Sequence, residues 1–309
     1  MKIATVSYKG RSTACHAGPD GLRPIKAKDG SVLTDAQAVF SHYGLEGFGQ
    51  NSALFSAAVL ASASEEAEIL APGDIDGYLP PMLHPDKIIG VWANYFGGTA
   101  TPESTGDTPI FFSKFNNALI GDRTAIMLPA ASSRVGWEPE LAVVIGRRAA
   151  QVRPADALDY VGGYTVANDV TAFDHTLKAL LGVIGPHMIA KTFDTFCPLG
   201  PHIVTPDEVG DPQALQMKLW VDGKLIVDGS TSGMKHRVDE LVSYLSGRMT
   251  LEPGDMILTG TPPIKGEVGI EERTLKVGQE IKIEIERIGT LVSFVDASGP
   301  RDVVTKTLN

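Results

Sequence analysis

The sequence predicts a strand-rich α+β protein on three observations: short apolar runs recur between turn residues, a two-residue hairpin signal joins two of them, and two segments carry helical composition. From the N-terminus, Lys2-Ile3-Ala4-Thr5-Val6-Ser7-Tyr8 reads as a strand followed by Gly-rich turns, and the Ala-rich segment from Asn51 to Leu70 as a helix. Adjacent prolines in Tyr78-Leu79-Pro80-Pro81-Met82-Leu83-His84-Pro85 stop both helix and sheet. A boundary near residue 83 therefore divides a small N-terminal α+β domain, 1–83, from a larger one, 84–309.

Beyond it, strands are expected at Ile88-Ile89-Gly90-Val91-Trp92, Ile110-Phe111-Phe112, around Glu138, up to Asp169, from Gln216 to Val221, at Met256-Ile257-Leu258 and from Gln279 to Glu286. Asp222-Gly223, set between Leu219-Trp220-Val221 and Lys224-Leu225-Ile226-Val227, is a two-residue hairpin turn. Val238, Leu241, Val242 and Leu245 fall at helical spacing, so a helix covers Val238 to Met249 before the turn Pro253-Gly254-Asp255.

With 309 residues the chain is long enough for ample core. A formal net charge of -10 disfavours nucleic acid and anionic membrane surfaces, which are met by an excess of Lys and Arg. Small molecules or other protein chains are the expected partners. No stretch reaches the ~18 apolar residues of a membrane span, and no signal core follows the N-terminus, so the expected compartment is the cytosol. Cys15 and Cys197 form no CxxC unit and read as packing residues.

The most informative stretch is Trp137-Glu138-Pro139-Glu140-Leu141-Ala142-Val143-Val144-Ile145-Gly146. In a strand, residues at i and i+2 point to one face, so Glu138 and Glu140 stand together at the mouth of an apolar run that suits a strand covered on both sides. Like charges placed there are costly unless a cation or a donor cluster compensates them. Tyr164-Thr165-Val166-Ala167-Asn168-Asp169 is a second β-prone run ending on a carboxylate. Two readings fit: an oxygen-only site for Mg²⁺ or Mn²⁺, or a solvated strand end with an unrelated aspartate in a turn.

Other chemistries find no support. Gly229-Ser230-Thr231-Ser232-Gly233 carries Thr231 where a nucleophile elbow needs a serine, and GxGxxG, GxxxxGK[ST] and HExxH are absent. The histidines are scattered, with His84 in the proline linker and His187 in a loop.

Taken together, Lys87-Ile88-Ile89-Gly90, Asn94-Tyr95, Phe112-Ser113-Lys114-Phe115, Ala118-Leu119-Ile120-Gly121, the Glu138 and Asp169 blocks, Ala190-Lys191-Thr192-Phe193-Asp194 and Leu258-Thr259-Gly260-Thr261-Pro262 resemble the fumarylacetoacetate hydrolase family over roughly residues 84 to 298. The resemblance implies a mixed β-roll, a divalent cation held by Glu138, Glu140 and Asp169, and Lys191 aimed at substrate oxygens. It further implies Thr261 as a substrate carboxylate contact, Tyr95 and Phe173 on the substrate wall, and a homodimer formed through residues after 83.

Two departures stand out. The family's His and Glu after Asn-Tyr, a dyad that activates water on a lid, become Gly98 and Thr101, which leaves Glu103, His175 or His187 to act as base. The family's S-A-R-D-x-Q becomes Thr171-Ala172-Phe173-Asp174-His175-Thr176, so an apolar ring replaces a substrate-binding cation and weakens the case for a dicarboxylate. The leading expectation is a hydrolase that cleaves the C–C bond of an acylpyruvate or other 2,4-dioxo acid, as in aromatic catabolism. The alternatives are a decarboxylase, isomerase or tautomerase of a 2-oxo acid (of oxaloacetate or 2-hydroxyhepta-2,4-diene-1,7-dioate type) and a catalytically silent member. The retained carboxylate cluster argues against silence.

Overall fold

Every residue of the strands Pro139–Ile145 and Val161–Asn168 is buried, as continuous apolar runs require when a sheet is covered on both faces. The computed structural model describes residues 1–44, 52–62, 69–71, 73–96, 108–180, 187–264 and 272–297. The two buried strands pair antiparallel, with Pro139 opposite Asn168, Glu140 opposite Ala167 and Val143 opposite Tyr164. They are the middle of an eleven-stranded sheet. On one side lie Met256–Leu258, Ile88–Trp92 and Ile110–Lys114, with the first two parallel to each other. On the other side lie Cys197–Val204, Lys2–Tyr8, Arg11–Gly18 and Gly21–Pro24.

A five-stranded sheet packs against this one through its strands Glu280–Ile285 and Gly289–Ala297. Ile281, Ile283 and Ile285 alternate inward from Glu280–Ile285, the period-two pattern of a half-buried strand. The hairpin between Gln216–Val221 and Lys224–Ser230 turns where the sequence predicts. Asp222 and Gly223 both take positive φ, 50° and 77°, as a turn that follows the twist of its strands requires. The α+β class and the mixed β architecture are those the sequence predicts.

The proposed boundary at residue 83 is crossed by backbone pairing. Lys2, Ile3 and Ala4 pair with Val204, Ile203 and His202, while Thr5 to Tyr8 pair with Ile75–Leu79. The N-terminal segment thus extends the edge of the large sheet. Its expected helix spans Ser52–Ser62, and residues 63–68 lie outside the described set. A second helix, Ala36–Tyr43, falls where the sequence suggests turns. Its signals are local: Asp35 caps Ala38 N at 2.9 Å, and Ala36, Val39 and Phe40 form one buried face. The helix expected over Val238 to Met249 spans Val238–Ser246.

Where the two sheets meet, His202 donates Nε2–H to Ile288 O at 2.7 Å. Burial pushes this imidazole down to about 4, against the carbonyl, which pulls the other way. An ordinary histidine titrates near 6.5. Between those values the unfolded chain binds a proton that the folded chain refuses, so stability falls as pH drops through this window. We expect on the order of 2 kcal/mol to be lost this way between pH 7 and pH 4. His202→Gln, which keeps a donor for Ile288 O, should flatten that part of the curve, as urea unfolding at a series of pH values would show.

Candidate metal centre and substrate wall

The two central strands set the site by their register. Opposing Pro139 to Asn168 brings Asp169 beside Glu138, and two hydrogen bonds lock the junction: Asp169 N to Glu138 O at 2.8 Å and Glu138 N to Asn168 Oδ1 at 2.9 Å. One carboxylate oxygen from each of Glu138, Glu140 and Asp169 then lies within 4.8 Å of the others. The i, i+2 glutamates do share a face. Asp169 is wholly buried and Glu140 nearly so, while Glu138 stays partly open to solvent.

Neighbouring donors hold each carboxylate. Gly260 N donates to Glu140 Oε2 at 2.7 Å. Gly260 has φ 93°, and a Cβ there would meet Asn94 Cβ at 3.0 Å, so both conformation and space call for glycine. Asn94 is itself pinned, donating to the carbonyls of His236 and Thr259 and accepting from His236 N. Thr171 Oγ1 lies 3.1 Å from Glu138 Oε2 and 2.9 Å from Asp169 O, within reach of either for its single proton.

Two ammonium groups complete the cluster. Lys191, at the end of the short helix His187–Lys191, donates to Glu138 Oε2 and Asp169 Oδ2. Lys114, wholly buried on the Ile110–Lys114 strand, donates to Asp169 Oδ1 at 2.6 Å and Val170 O at 3.3 Å. Burial opposes the Lys191 charge, but Asp169, Glu138 and Glu140 outweigh it and hold the ammonium above its ordinary range. Burial likewise presses Asp169 upward, and Lys114 and Lys191 overcome it and bring the carboxyl below its usual value. Glu140 has the weaker compensation: burial and then the Asp169 charge push it well above the carboxylate range. One buried acid is thus left short of positive charge. Three carboxylate oxygens without thiolate or imidazole suit a hard divalent cation at that point, so the residues fit Mg²⁺ or Mn²⁺.

The remaining predicted residues divide. Tyr95 lies within this region, and among the described residues its buried hydroxyl makes no hydrogen bond of good geometry; Thr259, its neighbour, donates to Leu141 O instead. Burial, and then Glu140, keep that phenol well above its ordinary range. Thr261 Oγ1 donates to Pro139 O at 2.9 Å, beside Glu140 in the chain, so its proton is engaged within the protein. Phe173 opens the helix Phe173–Leu180 directly after Thr171–Ala172. Glu103, with most of the segment from Tyr95 to Thr108, lies outside the described residues, as does the side chain of His187. His175 places its ring nitrogen 2.9 Å from Ala131 O and its ring edge-on to Phe193.

The sequence reading quoted Lys114 without giving it a role. A lysine closing an apolar β-run, in Ile110-Phe111-Phe112-Ser113-Lys114, is the signal that could have marked it, since a buried ammonium needs a buried partner.

Fold and site define the class: a mixed β protein with an acidic centre suited to a divalent cation. Residues 87–296 match the family model described as Fumarylacetoacetate (FAA) hydrolase C-terminal, and the chain belongs to this family. It is 42% identical over 220 residues to the mitochondrial oxaloacetate tautomerase FAHD2B of Bos taurus, covering 71% of this chain and 69% of that protein. The Homo sapiens mitochondrial oxaloacetate tautomerase FAHD2A is 39% identical over 224 residues, with the same coverage, 71% and 69%. Among solved structures, the 5-carboxymethyl-2-hydroxymuconate delta-isomerase from Mycobacterium smegmatis superposes with TM-score 0.72 at 31% identity, covering 96% of this chain and all of that one. The fumarylacetoacetate hydrolase from psychrophilic Exiguobacterium antarcticum superposes with TM-score 0.76 at 28% identity, with coverage of 96% and 100%.

Two variants separate the roles within the cluster. Glu140→Gln should weaken Mn²⁺ binding by more than about tenfold by calorimetry, since even indirect contacts to a metal reach that size. Its metal-free stability should hold or rise, because a crowded like charge is gone. Lys114→Met should do the reverse of a simple ligand loss: it removes a partner of a wholly buried carboxylate and lowers metal-free stability by about 3 kcal/mol in chemical denaturation.

Proposed function

We propose that the protein is a divalent-metal-dependent tautomerase of a 2-oxo acid of the oxaloacetate type. Similarity to two oxaloacetate tautomerases across the segment that builds the carboxylate and lysine cluster carries this reading. The sequence favoured C–C hydrolysis first and kept tautomerisation as an alternative; the relatives support the alternative better, and an isomerase stands among the structural neighbours. The sequence departure points the same way. Enol-to-keto conversion breaks one O–H bond and makes one C–H bond and consumes no water, so it does not require the water activation that the dyad replaced by Gly98 and Thr101 supplies.

Glu138, Glu140 and Asp169 would hold the divalent cation, which when bound would supply electrostatic stabilisation for negative charge developing on a substrate oxygen. Lys191 stays protonated among those carboxylates and presents a fixed ammonium beside the same charge. Thr171 and Gly260 hold Glu138 and Glu140 in place, so the site needs little reorganisation as charge shifts. Homodimerisation through the segment after residue 83 belongs to the same proposal, with light scattering at micromolar concentration as its check. The cytosolic expectation gains nothing from these relatives, whose names say mitochondrial; among the described residues no helix is long and apolar enough to cross a membrane.

The deciding assay loads the protein with Mg²⁺ or Mn²⁺, follows the ultraviolet decay of enol-oxaloacetate, and scores acetylpyruvate cleavage and CO₂ release in parallel. Faster enol decay that a chelator abolishes is the expected result. Lys191→Met should lower kcat by about a hundredfold or more. Cleavage of acetylpyruvate without enol decay would return the hydrolase reading, and Glu103→Gln would then slow it, because hydrolysis requires an activated water.

A further inference from the structure

We propose that Arg273 is a specificity-determining residue that binds the distal carboxylate of a dicarboxylate 2-oxo acid. This rests on reading the carboxylate cluster as a 2-oxo acid site. A three-stranded ribbon lies at its edge. Thr171–Ala172 pairs with Val135–Gly136, and on the opposite side Thr274 bridges to Gly136 while Leu275 N donates to Val135 O. The middle member runs straight into Trp137 and Glu138. Thr171 on one flank reaches Glu138, and Arg273 stands at the head of the other.

The strand Val135–Gly136 ends two residues before Glu138, and the buried strand Pro139–Ile145 follows. A Cβ at Gly136 would meet Phe173 Cε2 at 2.3 Å and Arg273 O at 2.5 Å, so the Phe173 ring occupies the space beside Gly136. Over that ring lies the Arg273 guanidinium, 4.9 Å from its centroid and 5.8 Å from that of Trp137. Aromatic faces attract a cation and fix its plane without using its N–H donors. Among the described residues Arg273 Nε is buried without a hydrogen-bond partner and the guanidinium pairs with no carboxylate. A half-buried, ring-mounted guanidinium with a buried donor unmet among the described residues is suited to recognise a carboxylate.

Phe173 does remove a cation from its position in the chain, yet its ring is the platform on which a second chain segment places one. The site keeps its preference for a second carboxylate through Arg273.

The test uses ligands that cannot react. Calorimetric titrations of the Mn²⁺-loaded protein compare malate with 2-hydroxybutyrate, which puts a methyl group where malate has its distal carboxylate. The wild type should prefer malate by about ten- to hundredfold, the range of a charge-assisted hydrogen-bonded contact. Arg273→Gln should bring malate down to the level of 2-hydroxybutyrate and leave the latter unchanged, and Arg273→Lys should retain part of the preference. Equal weakening of both ligands would mark Arg273 as structural and overturn the proposal. So would a wild type that does not prefer malate, including one that binds neither. The readout is independent of turnover: a malate preference lost in Arg273→Gln, in a protein inactive on enol-oxaloacetate, would sink the tautomerase reading and leave Arg273 standing.

Discussion

The molecule is organised around three carboxylates, two of them buried, gathered where two adjacent strands meet. Such a cluster is unfavourable by itself, because desolvation and mutual repulsion act together. It persists here because the register of Pro139–Ile145 against Val161–Asn168 brings the acids to one point, while independent elements deliver Lys114, Lys191 and the Gly260 amide to meet them. A slip of one residue in that pairing would turn Glu138 and Glu140 to the opposite face and leave Asp169 alone with the two lysines. Runs that are apolar on both faces do not discriminate such a slip, so the hydrogen bonds between Glu138, Asn168 and Asp169 and the pairing of the acids with their donors close the register.

Much of this was legible because the signals were local or periodic. The i, i+2 spacing of Glu138 and Glu140 survives in the structure as a shared face, and Asp222-Gly223 makes the turn its composition dictates. The helix Ala36–Tyr43 was passed over although Asp35 and the spacing of Ala36, Val39 and Phe40 announced it; at eight residues it is too short to stand out from the glycines around it. Lys114 was passed over for a different reason. A lysine in an apolar strand declares that it needs an acid, but only the fold says that the acid is Asp169, fifty-five residues away. Arg273 is harder still, because nothing in its own neighbourhood of sequence points to Phe173.

That last pair shows why a position-by-position reading of a substrate wall can mislead. Replacing a cation by an aromatic ring at position 173 looks like a loss of charge when the chain is read in order. In space, a ring is a surface on which a cation can be mounted, and the bridge between Thr274 and Gly136 carries Arg273 to it. Gly136 belongs to the same device, since any side chain there would take the space that the ring needs.

The charge carried by the assembled site favours the same class of substrate as its geometry. Three carboxylates facing Lys114 and Lys191 leave one negative charge, and Glu140, pushed upward by burial and then by the Asp169 charge, is the least compensated of the three. A divalent cation reverses that balance to one positive charge, and Arg273 raises it to two. In a largely buried site uncompensated charge is expensive, so on this proposal the ligand that seats best carries two negative charges of its own. A 2-oxo acid with a single carboxylate would leave Arg273 desolvated and unpaired, a cost paid on every binding event. On the reading proposed above a dicarboxylate would answer both charges, and Lys191, held among the carboxylates, presents an ammonium that would stabilise the charge developing on its enolate.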